Sequence, residues 1–203
     1  AVPRTSPAAA HTPDAGAPQE NPVSLKIYGA PASRTFRSLW AAEETGLPYE
    51  NLPLSYLGPE IKAPAYLAIN PNGTIPALSD DGFNLFESLA INFYLARKSG
   101  KLLPSDARGE ALTLQWSFWA ATEAEPLIGA WSYHTMFLPP EQRKPEVAAD
   151  AAAKLPRRLQ VLEGALADCD YLLGNEFTLA DLNVAAVLFR APAFGLDAFP
   201  RVK

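Results

Sequence analysis

Residues 24–28 (SLKIY) alternate polar and apolar, the period-two pattern of a half-buried strand. Gly29-Ala30-Pro31 interrupts it, and Ser33 then stands where a helix N-cap would. Phe36, Leu39 and Trp40 follow at helical spacing, and Gly46 supplies a stop ahead of Pro48. Tyr49–Leu54 reads as a second extended piece. Strand, helix and strand together predict a parallel pair joined by a right-handed crossover. Next come a short helix over Ile61–Leu67, broken by Pro64, and a tight turn at Asn70-Pro71-Asn72-Gly73. Ile75–Leu78 and Asn84–Phe86 read as strands joined at Asp80-Asp81-Gly82. Leu89–Arg97 closes the unit as a helix with Leu89, Phe93 and Tyr94 on one side. The order is β-α-β-(α)-β-β-α.

After Lys101-Leu102-Leu103-Pro104 the strand pattern stops. Residues 107–138, 145–167 and 178–190 are rich in Ala and Leu with helical periodicity. The shift predicts an α/β domain over 23–103 and an all-helical domain over 107–203. Residues 1–22 belong to neither. They hold five prolines and six alanines, no aromatic residue, and only Val2 as a branched aliphatic. They bury too little to offset ordering entropy, so a flexible tail or an expression remnant is expected. The segment also lacks the apolar core of a secretory signal.

Composition narrows the classes. The 203 residues are 48% hydrophobic, with ten Phe, seven Tyr and four Trp, ample for a core. Lys plus Arg is 17 against 22 Asp plus Glu, a net charge of −5, and no basic run exceeds two residues. Nucleic acid is therefore not an expected partner. The apolar stretch Leu182–Phe189 is far too short to span a bilayer, so no membrane insertion is expected. A single cysteine, Cys169, and two histidines, His11 and His134, leave no set for a metal site. The balance suggests a cytoplasmic protein.

Four features of the first domain invite a chemical reading. Ser33, between strand and helix, is either a cap or a hydroxyl at the positive end of a helix beside a bound anion. A nucleophilic serine would need a base, and the one histidine in the folded part lies in the other domain. Ile75-Pro76, placed before a hairpin strand, suits a cis proline that turns the Ile75 backbone outward to pair with an extended peptide. Glu87-Ser88 opens the third helix. The pair either caps that helix or holds an α-amino acid head, carboxylate to ammonium and hydroxyl to carboxylate. Lys62 is a surface lysine or a partner for a second carboxylate.

With these residues in view, the chain resembles the cytosolic glutathione transferase family from Leu25 to Phe199. The resemblance rests on YGAPAS, TGLPYE, LAINPNGTIPAL, LFESLAI and FTLADLNVAAV, and YGAPASRTFR is closest to the serine-type enzymes of plants and bacteria. It implies a thioredoxin-like domain followed by a helical-bundle domain, in a homodimer. It implies glutathione as co-substrate, no metal, and a small hydrophobic electrophile as second substrate. Ser33 then matches the hydrogen-bond donor to the glutathione sulfur. Thr74, Ile75 and Pro76 match the segment that binds the cysteinyl backbone, Glu87 and Ser88 the γ-glutamyl end, and Lys62 the glycyl carboxylate. One departure is Ile61, where such members often carry histidine. The chain also stops at Lys203, earlier than typical members, which suggests a missing last helical segment.

In the helical domain Trp116, Trp119, Glu123 and Leu127 fall on one stripe, with Phe118, Trp131, Tyr133 and His134 nearby. Such a stripe serves as core, as subunit interface or, as the resemblance implies for Trp116, Trp119 and Glu123, as the electrophile pocket. Thr178-Leu179-Ala180-Asp181 is a capping box, flanked by Phe177 and Leu182 at staple positions. Cys169 reads as a packed thiol. Two rivals to conjugation remain at this level: a glutathione-dependent lyase, isomerase or dehalogenase on the same scaffold, and a non-catalytic binding module.

Overall fold

The computed structural model describes residues 24–203; the tail expected over 1–22, together with Val23, lies outside the described residues. Strands β1 (Leu25–Tyr28), β2 (Glu50–Leu52), β3 (Ala77–Asp80) and β4 (Phe83–Phe86) form one sheet in the order β2-β1-β3-β4. β1 and β2 pair in parallel, Ile27 opposite Asn51, with helix α1 (Thr35–Thr45) as the crossover. β3 runs antiparallel to both β1 and β4. The β3–β4 turn holds Asp81 and Gly82 at φ of 49° and 84°, as a two-residue hairpin twisted with its strands demands. A single 3-10 turn (Pro59–Lys62), α2 (Pro64–Leu67) and α3 (Ser88–Ser99) complete this half. It is the predicted thioredoxin-like order. β3 starts later than expected, at Ala77, because Pro76 has no N–H for a ladder; the Ile75-Pro76 peptide is cis.

The second half is helical. Asp106 caps α4 (Ala107–Trp119), its carboxylate accepting the N–H groups of Arg108 at 3.0 Å and Gly109 at 3.1 Å. The helix continues through a π turn at Ala120–Ala124 into α5 (Glu125–Ser132), and a second π turn spans Tyr133–Phe137. Pro126 explains the first widening. It has no N–H to offer Thr122, and its ring would collide with that carbonyl, so the turn ahead of it opens. α6 (Pro145–Ala165) buries Ala148, Ala151, Leu155, Leu159 and Leu162, one stripe of its surface. α7 (Leu179–Val187) and the short α8 (Ala191–Phe194) follow.

α7 joins the halves. Leu182 and Ala186 pack into the sheet core with Leu25, Ile27, Leu78 and Leu95, while Ala180, Val184 and Val187 pack into the helical core with Leu155 and Leu159. A buried polar chain crosses the same seam: the Asn92 amide of α3 donates to Asn183 of α7 at 2.9 Å, and Asn183 donates to Ser117 of α4 at 2.8 Å. The expected capping box is present, with Thr178 N–H and hydroxyl each donating to Asp181 at 2.8 Å. Asp181 also accepts the Leu172 N–H at 2.7 Å, so one carboxylate anchors both the helix and the loop before it.

Two helix faces differ from expectation. α1 buries Thr35, Arg37, Ser38, Ala41, Ala42 and Thr45, leaving Phe36 39% exposed. α3 buries Ser88, Ile91, Asn92, Leu95 and Ala96, while Leu89 and Phe93 face a cavity and Tyr94 bonds Asp80. Small and polar side chains let α1 and α3 approach each other and α7, so the closest contact excludes the bulkiest residues.

Candidate active site

A cleft between the two halves has two connected lobes, of about 1020 and 380 Å³, which share Arg34, Arg37, Thr74, Ile75, Glu125, Gly129 and Tyr133 in their walls. The larger lobe takes in Pro76, Glu87 and Ser88, and the smaller takes in Ser33, Ile61 and Lys62. Residues from four separate segments of the first domain thus meet in one place.

Ser33 lies in the loop just ahead of α1, whose N-cap is Arg34, so the serine sits one position earlier than the expected cap. Its hydroxyl still serves the helix by accepting the Thr35 N–H at 3.1 Å. The same hydroxyl lies 2.7 Å from the Ala30 carbonyl, to which it donates, and 2.9 Å from the Thr35 hydroxyl. Its single proton can turn from Ala30 to a ligand while the Thr35 N–H keeps the oxygen in position. Thr35 is fully buried and cannot take that part itself. Gly29 makes the arrangement possible: at φ 133° a Cβ there would stand 2.0 Å from the Thr35 Oγ1.

The Thr74–Pro76 segment is braced from behind. Tyr66 Oη and Asn70 Nδ2 donate to the Thr74 carbonyl at 2.6 and 2.7 Å. Burial pushes the Tyr66 phenol up to about 12, so it stays a donor. Among the described residues no hydrogen bond uses the Ile75 N–H or carbonyl, and Ile75 lines both lobes of the cleft. Lys62 donates to the Gly73 carbonyl at 2.8 Å and is otherwise exposed. Ile61 is 3% exposed and packs with Tyr66 and Ala77 at the cleft's edge.

Glu87 is the N-cap residue of α3, but its side chain makes no capping bond. It adopts φ 72°, ψ 113°, a conformation costly for a residue with a Cβ. Its carboxylate is exposed in the cleft and pairs with no described group. Ser88, the first helical residue, is 6% exposed, with the Arg37 guanidinium 3.5 Å away. The capping alternative for Glu87 therefore fails, and its carboxylate stands free in the wall of the larger lobe.

Across the cleft stands a cluster the sequence reading missed. Glu125 receives two hydrogen bonds from Arg37, at 3.0 and 2.9 Å, and one from Arg34 at 2.6 Å. Burial alone would raise the Glu125 carboxyl, but Arg37 and Arg34 outweigh it and hold the group below its ordinary range. Arg37 is 5% exposed. The only local signal was Arg37 one helical turn after Ser33; nothing in the chain announces a partner 88 positions away.

Trp116, Trp119 and Glu123 are not brought to the cleft. Trp116 is 8% exposed in the helical core, Trp119 packs edge-on against it, and Glu123 pairs with Arg158 at 2.9 Å. The cleft side of the same helix is instead Leu114, Ser117, Phe118 and Ala121. The smaller lobe is roofed by Phe36, Tyr56, Tyr133, Phe137, Phe189 and Arg190. His134 lines neither lobe and accepts the Lys144 N–H at 3.1 Å. Cys169 is half-buried and also outside both lobes. Among the described residues no helix is long and apolar enough to cross a membrane.

Comparison with known proteins covers both halves of the chain. Residues 23–97 match the model of the glutathione S-transferase N-terminal domain, and residues 125–203 that of the C-terminal domain. Glutathione S-transferase 1 of Zea mays is 36% identical over 189 residues, 88% of each chain. The solved structure of a glutathione S-transferase-I bound with lactoylglutathione superposes with a TM-score of 0.79 at 35% identity, over 88% of this chain and 90% of that one. A glutathione transferase family member from Pseudomonas fluorescens, with two glutathione bound, gives 0.81 at 28% identity, over 91% and 87%.

Proposed function

The chain belongs to the glutathione S-transferase family, and we propose that its cleft binds glutathione across both lobes, with Ser33 as donor to the sulfur. The protein is a glutathione transferase, conjugating the glutathione thiolate to hydrophobic electrophiles. The observation that carries the assignment of residues is the convergence of Ser33, Lys62, the free Ile75 peptide edge and the unpaired Glu87 on one cleft. A docking module has no use for such a set.

In this reading Glu87 pairs with the γ-glutamyl ammonium, while Ser88 and the N–H groups opening α3 take the neighbouring carboxylate. The Ile75 N–H and carbonyl pair with the cysteinyl backbone as a short added strand. Lys62 takes the glycyl carboxylate. The thiol then lies beside Ser33, under the aromatic roof. A free thiol with pKa near 8.5 is only about 3% ionised at pH 7. Lowering it by about two units takes about 2.7 kcal/mol of differential stabilisation. A charged hydrogen bond from Ser33 supplies about 1.5–3 kcal/mol, and the helix terminus about 0.3–1 kcal/mol more. No base is required. On an aryl halide the thiolate forms the C–S bond, the halide leaves with the C–X electron pair, and the thiol proton passes to solvent.

We assign glutathione binding to residues 23–103 and the electrophile's walls mainly to 107–203. A homodimer is supported by exposed Phe83 and Phe86 on the edge strand β4. The reducing cytoplasm suits an enzyme that consumes a thiol. The test is direct: glutathione at 100 times its Kd is expected to stabilise the fold by about 2.7 kcal/mol, and 1-chloro-2,4-dinitrobenzene is expected to be conjugated. Absence of any glutathione-dependent shift in Tm overturns the reading.

A further inference from the structure

Arg190 stands in the turn between α7 and α8, in the roof of the smaller lobe that also contains Ser33 and Ile75. Its guanidinium lies 4.6 Å from the ring centres of Phe137 and Phe189 and 5.8 Å from that of Tyr133. These rings orient the planar group by cation–π contact. They satisfy none of its N–H donors. Among the described residues Arg190 has no ion pair and no side-chain hydrogen bond, and its Nε is buried without a partner. Glu125, the only carboxylate among the described residues lining the lobe, already serves Arg34 and Arg37.

A half-buried cation with unused N–H donors carries a desolvation cost that the facing rings offset only in part. Burial and the nearby charges of Arg34 and Arg37 lower the Arg190 pKa, yet a guanidinium remains charged at neutral pH. Glutathione does not supply the missing anion, because its two carboxylates have their own partners at Lys62 and at Ser88 with the start of α3. The spare charge therefore belongs to the second substrate. The same aromatic side chains that orient Arg190 offer flat walls for a planar ring.

We propose that Arg190 selects flat, conjugated electrophiles that carry an acidic group, pairing its guanidinium with the substrate's carboxylate while the ring lies among Phe36, Phe137 and Phe189. This rests on the glutathione reading above and adds the class of second substrate. Fork-like pairing of guanidinium with carboxylate also fixes the ring's direction, with the reacting carbon toward the sulfur. Chemistry at that carbon is unchanged: C–S forms, the halide leaves with its electron pair, and the proton goes to solvent.

The test compares 4-chloro-3-nitrobenzoate with its neutral, similarly shaped carboxamide, in the wild type and in Arg190→Met. The ratio of kcat/KM for acid over amide cancels intrinsic reactivity. It is expected to fall about tenfold in Arg190→Met, mainly through KM, with partial recovery in Arg190→Lys. An unchanged ratio overturns the proposal, whether both substrates slow equally or neither does. If Arg190→Met does not fold, inhibition of the wild type by S-(4-carboxy-2-nitrophenyl)glutathione and by its carboxamide gives the same answer. The acid is expected to bind about tenfold tighter, and equal inhibition overturns the proposal. Glutathione's own effect on Tm separates the two levels: equal inhibition with a glutathione shift defeats only the substrate class, whereas no shift defeats the glutathione reading as well.

Discussion

The Arg37 guanidinium, on α1 of the sheet domain, grips the Glu125 carboxylate, at the start of α5, with two hydrogen bonds of 3.0 and 2.9 Å. The contact bridges the cleft between its two lobes, so the relative setting of the domains and the shape of the site depend on the same pair. Side-chain exposure of 6% for Arg37 and 18% for Glu125 leaves little water to replace a lost partner.

Glu125→Gln keeps the shape and removes the charge. The expected loss is about 3 kcal/mol, the low end for breaking a buried pair, with weaker coupling between the domains. Chemical denaturation checks it, and a double-mutant cycle with Arg37→Met is expected to show that the two losses are not additive.

Acid is expected to act on the same contact. Glu125 and Asp80 both have folded pKa values below their ordinary ones. In each, burial pushes upward and is outweighed, by Arg37 and Arg34 for Glu125, and by Lys98, Tyr94 and Ser24 for Asp80. Their stabilisation is full above the unfolded-state values of about 4 and drains as pH falls through the lower folded values. Tm is expected to be flat from neutrality to about pH 5 and to drop below about pH 4. The drop is expected to be shallower in Glu125→Gln; identical slopes contradict the assignment.

Ser33→Ala is expected to leave glutathione affinity nearly intact, since the proposed binding mode holds both charged ends of the ligand at other residues. The bound thiol's apparent pKa is expected to rise by about 1–2 units. Turnover at neutral pH falls in proportion and recovers in part as pH rises. The absorbance of bound thiolate against pH measures this, and coincident titrations for wild type and variant rule out the donor role.

Glu87→Gln separates site from scaffold. The carboxylate caps nothing, so stability is expected to change by less than about 0.5 kcal/mol, while glutathione binding weakens about tenfold. Calorimetric titration decides; unchanged affinity removes Glu87 from the site.

Asp181→Ala is expected to do the opposite. Three donors, from Leu172 and Thr178, converge on that carboxylate. The loss is expected at about 2 kcal/mol, the upper end for a cap, with glutathione affinity unchanged in the folded protein.

Local chemistry made much of this legible in the chain. Alternation in SLKIY, the Asp81-Gly82 turn and the Thr178/Asp181 box each act within a few residues, and each appears where the spacing placed it. Ser33, Lys62, Ile75 and Glu87 sit at the ends of regular elements, and in a sheet of this topology those ends gather on one side. Their convergence follows from connectivity once the element order is known.

Tertiary packing decided the rest. Periodicity finds a helix but not which neighbour claims which face. α1 therefore turned Ala41 and Ala42 inward instead of Phe36, and α4 gave Phe118 to the cleft while Trp116 went to the core. The pairing of Arg37 with Glu125 and the placing of Arg190 against Tyr133 and Phe137 join segments dozens of residues apart. Such contacts have no local signature, because each side chain's free energy there depends on a partner brought near only when the whole chain has folded.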